Sequence, residues 1–74
     1  MSSNSGKEIL RDWQTPEGFQ SSNDGSSCAA VRTYVDGSAD LMSTIDPAGA
    51  VVPLTPGEWS AFKAAVKAGQ YDIA

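Results

Sequence analysis

Apolar and polar positions divide this chain into a polar start, a middle of short alternating runs and a close with helical spacing. In the middle, residues 28–35 set Ala29, Val31, Thr33 and Val35 on one side and Cys28, Ala30, Arg32 and Tyr34 on the other. Period-2 alternation of this kind predicts a β-strand, with the first set inward. Residues 39–44 alternate Ala39, Leu41 and Ser43 against Asp40, Met42 and Thr44 and predict another. A further short strand is expected in "AVVPL" at 50–54, where Pro53 lacks an N–H and so confines the strand to an edge or an end.

Turn signals separate these runs. "SSNDGSS" at 21–27 follows Phe19 and suits a hairpin loop, Asp36-Gly37 is hairpin chemistry again, and "IDPAG" at 45–49 predicts a third turn. After them the period changes. Thr55 is an N-cap candidate, Pro56 takes the first helical position, and Glu58 stands three residues after Thr55, the capping-box spacing. Trp59, Phe62 and Val66 then form an apolar stripe with Ala65 beside it, Lys63 and Lys67 lie toward the C-terminal end, and Gly69 suits the C′ position. A helix over 56–68 is predicted, with Tyr71 folding back over its last turn.

Together these elements predict an α+β domain in two layers: a small antiparallel β-sheet of three to four short strands, followed by one C-terminal amphipathic helix packed on it. Residues 1–16 are mostly Ser, Asn and charge and read as a flexible N-terminal arm, with residues 17–74 as the single small domain. The apolar cluster in the arm is Ile9, Leu10 and Trp13. An indole is seldom left in water, so Trp13 either packs back on the domain or docks onto a second chain.

Length sharpens this picture. A 74-residue chain has a small core, and the usual staples are missing: its one cysteine cannot close an internal disulfide, and with no histidine a zinc site is implausible. Oligomerisation or a partner is the remaining way to add buried area. The net charge of −4 is shared by both halves, and only Lys7, Arg11, Arg32, Lys63 and Lys67 are cationic. That leaves no electrostatic footprint for phosphate backbones, so direct nucleic-acid binding is not expected. No apolar run is long enough to span a bilayer and the start lacks a signal-peptide pattern, so the chain is read as cytoplasmic, with no membrane partner.

Candidate chemistry is thin. Cys28 has neither a histidine to activate it nor a second cysteine to resolve it, and reads as a small buried residue in a strand rather than a nucleophile or redox sensor. Asp36, Asp40 and Asp46 offer carboxylates for a metal, but turn positions favour Asp for local hydrogen bonding. "SSNDGSS" reads as a solvated loop before an anion cradle or phosphorylation site. No cofactor and no catalytic residue is expected.

The ordered pattern Asn23-Asp24-Gly25, Cys28, Val31, Asp36-Gly37, Asp46-Pro47, Thr55-Pro56, Glu58-Trp59, Phe62, Val66-Lys67, Gly69 and Tyr71-Asp72 resembles the BldB-like small regulatory proteins of actinobacterial domain of unknown function 397. The resemblance covers about Gln20 to Asp72. Where that family commonly reads Cys-Val-Glu-Val, this chain has Cys28-Ala29-Ala30-Val31, and Leu41-Met42-Ser43-Thr44 stands where it carries Val-Arg-Asp-Ser. Charged residues that a site might use are thus replaced, as in a divergent member. The resemblance implies a regulatory role beside a helix-turn-helix DNA-binding protein, in developmental control or a toxin–antitoxin-like pair. The acid excess is compatible with such a partner, because charge complementarity speeds association.

Three functions follow as expectations: a non-enzymatic regulator bound to a helix-turn-helix transcription regulator, a small toxin enzyme, or a structural homo-oligomer. The absence of histidine and of a basic groove speaks against the enzyme. Interface candidates are Trp13, Tyr34, Trp59, Phe62, Val66 and Tyr71, since so small a domain cannot enclose all its aromatics. The Trp59 and Phe62 stripe is open to two readings, core under the sheet or interface. A homodimer is expected from the same surplus and from open strand edges.

Overall fold

A computed structural model describes residues 4–17, 28–46 and 48–72. Its strands are β1 (Ile9–Gln14), β2 (Ala29–Tyr34), β3 (Ala39–Ser43) and β4 (Val52–Leu54), and helix α1 (Pro56–Lys67) follows. The strands form one antiparallel sheet in the order β1-β2-β3-β4, so the fold is α+β, a meander closed by a C-terminal helix. Among the described residues no helix is long and apolar enough to cross a membrane.

The strand reading of the middle region holds, and local chemistry explains it. At the β2–β3 turn, Gly37 donates its N–H to the Tyr34 carbonyl at 3.0 Å and sits at φ 96°, where a side chain is disfavoured. That turn sets the register: Val31 faces Leu41 and Thr33 faces Ala39, while Ala30 faces Met42 and Arg32 faces Asp40. β4 continues both rows, Val52 beside Leu41, Leu54 beside Ala39 and Pro53 beside Asp40. Pro53 lies on the outermost strand, where its missing N–H costs the ladder nothing. In the turn after β3, Asp46 accepts from the Ala48 N–H at 2.9 Å, an Asx-type turn.

Residues 9–14 depart from the expected arm, for they pair with β2 as an edge strand. Ile9 faces Tyr34, Arg11 faces Thr33 and Gln14 faces Val31, so two residues are extra on the β1 side, one at each register shift. Bulging breaks the period-2 pattern by which a strand is read. The hairpin loop expected at 21–27, along with Phe19 and Pro47, lies outside the described residues.

The expected inward set of β2 needs a second correction. Ala30 and Tyr34, assigned outward, are 1% and 3% exposed, whereas Val35 is 57% exposed and Ala29 also stands in solvent. The cause is that chain before β1 folds across the Tyr34 face. Asn4, 6% exposed, donates its amide to the Asp40 carboxylate at 2.8 Å and to the Ala39 carbonyl at 3.0 Å. Polar contacts therefore bury that face, while α1 stands on the other.

Candidate functional site

The helix is built by its ends. Glu58 donates its backbone N–H to the Thr55 hydroxyl at 3.1 Å, and the Thr55 N–H returns a bond to the Glu58 carboxylate at 2.9 Å, completing a capping box before Pro56. At the other end Gly69, at φ 80°, donates to the Val66 carbonyl and Gln70 to the Ala65 carbonyl, a Schellman closure. Each cap is worth about 1 kcal/mol. With both ends satisfied, this helix depends less on burial.

Burial is what it lacks. No residue of α1 is buried, and its main contact with the sheet is to the adjoining strand β4. The small side chains Ala61 and Ala65, with Phe62, face Leu41 and Leu54 across an open cleft of about 540 Å³. Alanine is too short to fill the space, so the layers touch without interlocking. The stripe is left partly in solvent on both sides of Phe62, which lies between the cleft and the outer face. Phe62 is 40% exposed, Val66 50% and Tyr71 55%, with Trp59 half-buried.

These side chains support one another. The rings of Trp59 and Phe62 are stacked with centroids 6.3 Å apart, and Tyr71 returns over the last turn to 5.7 Å from Phe62. The Lys63 ammonium lies 5.3 Å from the Trp59 ring centroid. Trp59, Phe62, Lys63, Val66 and Lys67 line a shallow apolar depression of about 420 Å³ on the outer face. Of the interface candidates, Trp59, Phe62 and Val66 thus come together on the outer surface, Tyr71 adjoins them through Phe62 from the cleft side, and the stripe proves to be only partly core.

Trp13 and Tyr34 do not join it. Trp13, on β1, lies beneath the Arg32 guanidinium at 4.6 Å, and Arg32 also pairs with Asp12 at 2.8 Å. The Trp13 backbone N–H and then Arg32 hold the Asp12 carboxyl below its usual range. Tyr34 is removed from any exposed surface: it is buried and donates its hydroxyl to Asp40. Burial, then the Asp40 bond, push the Tyr34 hydroxyl pKa above its ordinary value.

Sequence reasoning missed the cluster around Tyr34. The alternation places Asp40 on a strand while grouping its carboxylate with turn aspartates; it is a buried strand residue held by Tyr34 and Asn4. Beside it, Asp36 accepts from the Ser38 hydroxyl and from the Ser38 N–H at 2.9 Å, and pairs with Lys7 at 2.9 Å. Those bonds, the Ser38 hydroxyl foremost, lower the Asp36 pKa to about 2. One signal was available, since a three-residue loop over 35–37, centred on Asp36, sets residues 32 and 40 face to face.

All three aspartates once considered for chemistry are therefore engaged in turns or in the cluster. Among the described residues no group of three or more His, Cys, Asp or Glu is gathered closely enough to hold a metal ion. Cys28, half-buried just before β2, donates its backbone N–H to the Thr44 hydroxyl at 3.0 Å. Set against protein-family models, curated proteins and solved structures, the chain has no significant match in any of the three.

Proposed function

We propose that this chain is a non-enzymatic protein-binding module that regulates a helix-turn-helix DNA-binding partner and docks it through the outer face of α1. The observation that carries the proposal is the group Trp59, Phe62 and Val66, left partly exposed on a helix that buries none of its residues, with Tyr71 from beyond the helix against Phe62. An amphipathic helix ordinarily buries such a stripe, and one capped at both ends can present it instead. Tryptophan and tyrosine anchors are the residues that most often dominate binding energy at protein interfaces. The partner's class rests on the resemblance to domain of unknown function 397. Engagement of Asp36, Asp40 and Asp46 in structural bonds supports binding over catalysis.

The test is light scattering after size exclusion, on the protein alone and mixed with the neighbouring helix-turn-helix protein that the resemblance implies. A stable mixed peak that Trp59→Ala abolishes, with the fold retained by circular dichroism, supports the proposal. A protein that ignores that neighbour, or a mixed peak indifferent to Trp59→Ala, overturns it.

A further inference from the structure

Charge around the docking face narrows what its occupant can be, an inference that rests on the reading of that face given above. Among the described residues Lys7 is paired with Asp36 and Arg32 with Asp12. Lys63 and Lys67 form no ion pair there, and both line the apolar depression with Trp59, Phe62 and Val66. Two unpaired ammonium groups at one apolar patch reverse the local sign of a chain that carries −4 overall. The one carboxylate within the helix, Glu58, lies on the cleft side and is engaged in the Thr55 cap. Nothing on the helix therefore neutralises the lysine border.

We infer that the element docking on α1 is an acidic amphipathic segment of the partner, with apolar side chains over Trp59, Phe62 and Val66 and carboxylates reaching Lys63 and Lys67. A covered apolar patch lowers the local dielectric and strengthens such pairs, so a charged border selects partners as well as attracting them. A second copy of this chain fits poorly. Antiparallel two-fold pairing of the stripe sets the lysine border of one copy against that of the other, like charge on like. Parallel pairing offers the border only Glu58, already bound in the cap. A basic occupant meets the same repulsion.

Two synthetic amphipathic peptides test this, identical in their leucines at i, i+3, i+4 and i+7 but flanked by glutamate in one and lysine in the other. Titrated into the full chain at low salt, the glutamate peptide is expected to bind roughly tenfold or more tighter, a preference that shrinks with added salt. The charge-reversed double variant Lys63→Glu, Lys67→Glu, on exposed positions, should invert the preference while leaving circular dichroism unchanged. Equal binding of the two peptides, or a preference that survives the double variant, overturns the inference and leaves the docking face standing. Failure of both peptides to bind also overturns it. A mixed peak with the helix-turn-helix protein that Trp59→Ala and Val66→Asp leave intact removes the docking face as well. Self-association of the chain abolished by Val66→Asp would assign the face to a second copy instead.

Discussion

One face of the sheet carries polar groups packed out of solvent, and the other, apart from the small buried Ala39, carries apolar groups left half in it. On the first, Asn4, Ser38 and Asp40 are all buried beside Tyr34, and nearly every polar atom named there has a partner. On the second, Leu41 and Leu54 look across an open cleft to a helix with no buried residue. The contrast separates two jobs that larger domains combine in one core. Hydrogen bonds within this clasp of Asn4, Tyr34, Ser38 and Asp40 specify a single arrangement, because a buried donor or acceptor left unpaired costs about 1–3 kcal/mol. Apolar area on the helix side is stabilising only when something covers it, at about 25 cal/mol per Å². The first region is thus complete in the free chain, and the second gains most from a partner.

The largest break in this comparison comes from the clasp. Asp40→Ala removes the acceptor of both Tyr34 and Asn4 and is expected to cost about 3 kcal/mol, a large share of what so small a domain possesses. Tyr34→Phe, which deletes one donor, should cost about 1–2 kcal/mol. Urea unfolding followed by circular dichroism measures both; an Asp40→Ala protein no weaker than Val66→Asp would show that stability lies elsewhere. Alkali attacks the same contact. Because the folded Tyr34 pKa is raised above 10.0, its contribution is full below pH 10 and declines as pH rises toward the folded value. Tyr34→Phe should remove that part of the alkaline decline.

The helix face inverts the result. Val66→Asp alters a half-exposed position and should change stability by less than about 1 kcal/mol, yet cost about 2 kcal/mol, near thirtyfold, in association. Trp59→Ala should act in the same direction, with a larger stability loss because the indole is half-buried against Phe62. Paired measurements of unfolding and of partner affinity give the split, and a Val66→Asp variant that unfolds would make the stripe core.

A cap mutation asks whether the two regions fold as one. Thr55→Ala opens the capping box at a cost of about 1 kcal/mol. With little burial to hold α1, that loss should appear as faster amide exchange in the helix while β2 and β3 stay protected. Equal loss of protection in both would mean that the layers are coupled more tightly than their contacts indicate.

These two regions were also unequally legible in the sequence. Everything about α1 that depends on neighbours in the chain was readable: the Thr55 and Glu58 box, Pro56, Gly69, and the return of Tyr71. The Asp36-Gly37 and Asp46 turns were readable for the same reason. β1 was not, because its two bulges against β2 disrupt the alternation that marks a strand, and ILRDWQ exposes most of its side chains. Alternation sorted β2 correctly into two faces, but the buried face depended on Asn4 reaching Asp40 from 36 residues away. No local pattern encodes that contact. For the site, spacing found Trp59, Phe62 and Val66 together, whereas Tyr34 was misplaced with them because an aromatic residue on a strand looks alike whether its hydroxyl is satisfied within the fold or offered outside it.

Acid should sharpen the comparison by the smallest step. Asp36 is partly exposed, and its pKa of about 2 arises from the Ser38 hydroxyl and N–H and from Lys7 rather than from a dry setting. In the unfolded chain the same group titrates near 3.8, so folding favours its ionised form. The stabilisation is therefore present above pH 3.8 and is lost as pH falls through about 2. Asp36→Asn keeps the shape and removes the titration. The difference in melting temperature between the native chain and Asp36→Asn should be greatest near neutral pH and should close across that acid window. The helix side has no counterpart to this bond, since among the described residues Lys63 and Lys67 form no ion pair. Exchange of α1 amides should accordingly ignore the Asp36 substitution at every pH, and helix amides that follow it would show the clasp and the docking face to be one device.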